Sequence, residues 1–152
     1  MQPKTMISLE QASLLLGIPV RILRQFIADE AGRNVLPVIS TSGSHLRIQL
    51  DPIVNSPKEI LEAYSTWRKG CSPKIWNPAD HAEELERAEE LRAVIRETYD
   101  ADTAAIMLGV SRPTLRRWER EGKIVATRPI GPKQVRYYRE SVDALLSVGA
   151  AL

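Results

Sequence analysis

The chain has 152 residues, 43% hydrophobic and 26% charged, which is room for one medium domain or two small ones and too apolar for a disordered polypeptide. One cysteine, Cys71, excludes an intramolecular disulfide framework, and the two histidines, His45 and His81, cannot complete an ordinary Cys/His zinc finger with it. No structural metal and no cofactor are therefore expected. The N-terminus MQPKTMISLEQ lacks a secretory apolar segment and no run approaches 18 apolar residues, so the expected location is cytoplasmic, with no membrane partner.

The formal charge of +2 is unevenly spread. Residues 1–70 hold 8 Lys/Arg against 6 Asp/Glu, residues 71–98 hold 4 against 7, and residues 99–152 hold 9 against 6. Two mildly basic ends flank an acidic middle.

In chain order, residues 8–16 predict a short helix with Ala12, Leu15 and Leu16 on its apolar side. Gly17 follows where a left-handed C-cap suits glycine. A second helix begins near Pro19, with Leu23 and Phe26 inward and Arg21, Arg24 and Gln25 outward. Val35–Ile39 and Leu46–Leu50 are strand-like around a Gly-containing turn and read as a hairpin wing. A third helix is predicted over 57–68. The segment from Cys71 to Pro78 is a proline-punctuated joint. Asp80–Thr98 has Ala82, Leu85, Ala88, Leu91 and Ile95 at helical spacing and predicts a helix of roughly 30 Å.

The first plan then recurs at an offset of 92 residues. Ala12 meets Ala104, Leu16 meets Leu108, Gly17 meets Gly109, Leu23 meets Leu115, Arg24 meets Arg116 and Phe26 meets Trp118. Residues 101–108 predict the first helix of this copy. Ser111 is a good N-cap for the second, and Pro113 is tolerated in its first turn. Strand-like segments at 123–127 and 134–138 precede a last helix near 140–147. A helix, a tight Gly-containing turn and a second helix form the helix-turn-helix plan.

On the second helix of this copy, Leu115 and Trp118 would face the core and leave Arg112, Thr114, Arg116 and Arg117 outward. Arginine suits guanine edges and phosphates because its planar fork of donors is always charged. Wing candidates are His45 and Arg47 in the first copy, and Arg128, Lys133 and Arg136 in the second. The competing reading makes the arginines a solvated helix face and Arg136 an ion-pair partner of Glu119 or Glu121. Cys71 reads as an inert joint residue, Trp67 and Trp76 near the joint as pins for the inter-domain helix, and His81 as a residue that caps or decorates the acidic helix. No glycine-rich phosphate loop, His-Glu-x-x-His helix or nucleophile elbow is present, so neither catalytic nor metal-ligating residues are assigned and no enzyme is expected.

The run Thr103–Trp118 (TAAIMLGVSRPTLRRW), followed by Glu121–Arg128 (EGKIVATR) and Val135-Arg-Tyr137, resembles the MerR-like and excisionase-like winged helix-turn-helix domains. The first copy looks like a diverged member of the same group, with Thr41–Ile48 (TSGSHLRI) matching the group's wing pattern of Gly, His and Arg. The second copy departs from it by stretching its wing to Gly131–Arg136. The expected fold is mainly α with small β wings: tandem winged helix-turn-helix domains at 1–70 and 99–152, joined by a proline-rich joint and acidic helix at 71–98.

The resemblance implies a sequence-specific double-stranded DNA-binding protein, nucleoid-associated when bound, that reads two half-sites as a transcriptional regulator of phage or mobile-element type. Its partners would be DNA and the transcription machinery. One alternative is an excisionase that bends DNA for an integrase. Another is a protein-interaction adaptor in which only the C-terminal domain binds DNA and the 80–98 helix forms a homodimer seam.

Overall fold

In the computed structural model, which describes residues 5–41, 45–71 and 75–150, the chain folds as two units, Met1–Arg92 and Ala93–Leu152. The first opens with β1 (Met6–Ile7) and α1 (Leu9–Leu16). Ser8 starts α1 through a reciprocal capping box: its hydroxyl accepts from Gln11 N–H at 3.2 Å, and its own N–H donates to Gln11 Oε1 at 2.9 Å. Gly17 ends the helix at φ 75°, the left-handed conformation expected of it. The Ser13 hydroxyl, donating to Ile18 O at 2.6 Å, ties down the turn that follows.

Next comes α2 (Val20–Ala28), whose Ile22, Leu23, Phe26 and Ile27 are all buried. Full burial of side chains of this size stabilises by about 1.5–3 kcal/mol each, so this face fixes the orientation of the opposite one. A short helix, α3 (Glu30–Val35), follows, then β2 (Val38–Thr41), β3 (His45–Gln49), α4 (Leu50–Asn55) and α5 (Pro57–Lys69). The sheet is antiparallel in the order β1-β3-β2, with Ile7 and Val38 both opposite Ile48.

Beneath α5, Phe26 meets Tyr64 edge-on at 5.6 Å and Trp67 at 5.3 Å, and Tyr64 meets Trp76 at 5.9 Å. The Tyr64 hydroxyl donates to Trp76 O at 2.6 Å. Trp76 and His81 stack at 4.8 Å, and His81 O accepts the first helical bond of α6 (Ala82–Arg96) from Leu85 N–H. Within this unit, the α6 backbone approaches the α1–α2 turn so closely that a Cβ on Gly17 would lie 3.0 Å from Glu84 O. Arg92, buried, donates to Leu15 O at 2.6 Å and so caps the C-terminus of α1.

The second unit runs β4 (Thr98–Asp100), α7 (Ala101–Leu108), α8 (Arg112–Arg120), β5 (Ala126–Thr127), β6 (Arg136–Tyr138) and α9 (Arg139–Ala150). Its sheet is β4-β6-β5, also antiparallel, with Tyr99 and Ala126 both opposite Tyr137. The Asp100 carboxylate caps α7 by accepting from Thr103 N–H at 2.7 Å, and Gly109 closes it at φ 67°. Leu115, Ile124, Tyr137 and Val142 form the core with three alanines of α7, and Trp118 packs against it.

The architecture is the expected one, mainly helical with small antiparallel sheets. Three details differ from the sequence expectation. Each sheet has a third strand, β1 or β4; α3 and α4 are additional; and the acidic helix ends at Arg96, because Thr98 enters β4. Its 15 residues span about 22 Å rather than 30 Å. Its apolar stripe is covered by the chain itself at Ala88 and Ile95. Among the described residues no helix is long and apolar enough to cross a membrane.

Candidate nucleic-acid interface

Helix α8 is set by its first turn. The Ser111 hydroxyl accepts from Thr114 N–H at 3.3 Å and lies 3.0 Å from Thr114 Oγ1, while Pro113 sits where no N–H is needed. Thr114, expected to face outward, thus shares its hydroxyl with the cap. Leu115 is completely buried and Trp118 half-buried, which turns Arg112, Arg116, Arg117 and Arg120 to the surface.

Acidic neighbours steady several of these cations. Arg112 lies 3.5 Å from Asp102 of α7, Arg117 lies 3.8 Å from Glu121, and Lys123 lies 3.1 Å from the same carboxylate. Exposed pairs of this kind contribute about 0–1 kcal/mol, so a phosphate displaces them at little cost. Arg128, just beyond β5, donates from Nη2 to both oxygens of Glu119 at 3.0 and 3.2 Å. That fork ties the wing stem to α8. The buried Tyr137 hydroxyl registers the same surroundings. Its pKa is raised, first by burial and then by Glu119, with Arg128, Arg116 and Arg112 opposing.

Lys133 is exposed in the loop between β5 and β6. Arg136 occupies a different environment from the one its wing position suggested. Its guanidinium is buried and donates to Thr98 Oγ1 at 2.7 Å, Thr98 O at 3.1 Å and Ile95 O at 3.4 Å, capping the end of α6. Burial lowers its pKa, with Asp100 opposing. Neither Glu119 nor Glu121 is its partner; the Glu119 pairing belongs to Arg128.

In the first unit, α2 exposes Arg21, Arg24 and Gln25 beside the fully buried Leu23 and Phe26. On β3 the exposed His45 and Arg47 flank Leu46, and Arg47 stands opposite Ile39 of β2. Arg24, His45 and Arg47 line one cavity of about 100 Å³ together with Ser8 and Glu10. Arg21 and Gln25 do not line it. The wing tip, Ser42-Gly43-Ser44, lies outside the described residues.

Sequence reasoning missed Asp102 as a partner of Arg112, and gave Glu119 and Glu121 to Arg136 where the structure pairs them with Arg128, Arg117 and Lys123. A signal existed for two of these pairings: Glu121 follows Arg117 by four residues, and Asp102 lies in the first turn of α7. Among the described residues no group of three or more His, Cys, Asp or Glu is placed to hold a metal ion.

In comparisons with known proteins, no curated protein and no solved structure matches the chain. A family model described as a helix-turn-helix domain matches residues 98–147, the stretch from β4 into α9 that holds the capped α8 and its exposed arginines.

Proposed function

We propose that this chain is a sequence-specific double-stranded DNA-binding protein acting as a transcriptional regulator, with α8 as its recognition helix and α2 as the counterpart in a diverged tandem copy. The observation that carries the reading is the exposed arginine face of α8, anchored by Leu115 and Trp118 inside the matched helix-turn-helix segment. A helix so held offers Arg112, Arg116 and Arg117 to base edges and phosphates in a major groove, with Lys133 on the wing reaching flanking backbone. The tandem reading draws support from the shared element order, the shared sheet order and the left-handed glycines at 17 and 109. Arg136 is left out of the interface.

The test is a genomic-fragment selection with the purified chain, followed by titration of the recovered duplex. Arg116→Ala combined with Arg117→Ala is expected to weaken binding by a few kcal/mol, at roughly 1–3 kcal/mol per good base contact. Unchanged affinity would overturn the assignment of α8. Footprinting then separates an operator overlapping a promoter, expected of a regulator, from clustered direct repeats beside an attachment site, which would make the protein an excisionase.

A further inference from the structure

The two units put their charges to different uses at corresponding positions. Ser8, the neutral N-cap of α1, corresponds to Asp100, the ionisable N-cap of α7. Glu10 corresponds to Asp102, which in the second unit is engaged with Arg112. By sheet register Arg47 corresponds to Arg136, since each immediately precedes the buried central residue of its sheet, Ile48 or Tyr137. Yet Arg47 is exposed and Arg136 is withdrawn into the interior.

In the first unit, therefore, Arg24 from α2 and Arg47 from β3 line one cavity together with His45, whereas Arg136 of the second unit is committed to Thr98 and Ile95. Its charge is two guanidiniums against the one carboxylate of Glu10, which leaves it cationic even with His45 neutral. The cavity, about 100 Å³, is shallow and polar, and it sits between the exposed face of α2 and the wing strand. Two guanidinium-bearing side chains lining one small polar cavity from two elements suit a tetrahedral oxyanion, whereas a base edge is read by a single fork extended into a groove.

We propose that the Arg24–Arg47 cavity of the N-terminal unit is a receptor for one phosphate of the DNA backbone, an anchor that is indifferent to sequence, while base selection lies with α8. The inference rests on the DNA-binding reading above and assigns separate tasks to the two units.

The experiment titrates the full chain against two labelled duplexes, the selected site and a duplex of randomised sequence, over a series of salt concentrations. Arg24→Ala with Arg47→Ala is expected to weaken both duplexes by the same factor, roughly tenfold to a hundredfold. It should also lower the log–log salt slope by about 1. Arg24→Lys with Arg47→Lys should keep most of that slope, because the charge remains while the fork is lost. Glu10→Gln should tighten both duplexes by about threefold, a gain that a merely structural role would not produce.

A loss confined to the selected duplex would overturn the proposal by making the cavity a base reader. An equal fall of the salt slope in the Lys and Ala pairs would overturn it by making the arginines structural. Unchanged binding on both duplexes would take the cavity off the DNA, and the α8 variant tells the two failures apart. If Arg116→Ala with Arg117→Ala still abolishes binding, only the cavity proposal fails; if it too changes nothing, the DNA-binding reading fails.

Discussion

The N-terminal and C-terminal units have corresponding sheet orders and, α3 and α4 apart, the same run of strand, two helices, two strands and helix, yet they use their arginines differently. In the first, Arg47 stays on the surface of the central strand and Arg92 goes inside to cap α1; in the second, Arg136 of the central strand goes inside and α8 carries the exposed cations. A cation on the central strand can serve either a ligand or the scaffold, and what decides is whether backbone carbonyls lie within its reach. Ile95 and Thr98, where α6 gives way to β4, supply those acceptors to Arg136. The lesson is that a motif position does not carry a role by itself.

The largest effect that sharpens this contrast is expected at Arg136. Arg136→Ala would strip Thr98 O and Thr98 Oγ1 of the guanidinium donor and take one of two donors from Ile95 O, which keeps the Thr98 hydroxyl, and cost roughly 2–4 kcal/mol. Arg47→Ala should stay within about 0.5 kcal/mol. Hydrogen exchange read separately for β6 and β3 measures both, and comparable losses at the two positions would erase the distinction between them.

A middle-sized effect is expected at the paired glycines. Gly17→Ala meets both the left-handed backbone and the Glu84 carbonyl 3.0 Å away, and should cost about 2–3 kcal/mol. Gly109→Ala meets no atom within 4 Å and should cost only about 1 kcal/mol, the backbone penalty alone. Thermal denaturation of the two variants gives the order, and a larger loss at Gly109 would break the comparison.

The smallest effect is in the response to acid. The Asp29 carboxylate accepts from Ala31 N–H, the larger cause of its lowered pKa, and from the Trp67 indole N–H at 3.2 Å. Because its folded pKa lies below the unfolded value of about 3.9, its contribution is present above that pH and is lost as pH falls through the lower folded value. Its counterpart at the offset of 92, Glu121, ends α8 without starting another helix. The indole N–H resonance of Trp67 is therefore expected to move below about pH 4. That step should vanish in Asp29→Ala, and its persistence would remove the Asp29 cap from the account.

What the sequence disclosed was local. The Ser111 cap, the two C-cap glycines and the apolar faces of α2 and α8 are set within a few residues, and each stands where its spacing predicted; Ser8, expected as the first residue of its helix, caps it instead. The two- and three-residue strands β1 and β4 are too short to show alternation, so their pairing with β3 and β6 was invisible. Helix α4 carries Pro52 and α3 carries Gly32, both of which argue against a helix in isolation. The burial of Arg136 and the pairing of Arg128 with Glu119 depend on acceptors brought in by tertiary folding. The cavity joining Arg24 to Arg47 likewise needs α2 and β3 side by side, a fact that no spacing along the chain encodes.

The contact of Arg92 and Glu84 with the end of α1 bears on how the N-terminal unit can be cut out. A fragment ending near residue 70, where the proline-rich joint begins, would strip Leu15 O of its donor and leave the Gly17 turn without the backbone that covers it. A fragment continued through Arg92 keeps both. The acidic helix is thus an integral piece of the first unit's scaffold as far as Arg92, and not a spacer that can be removed from it.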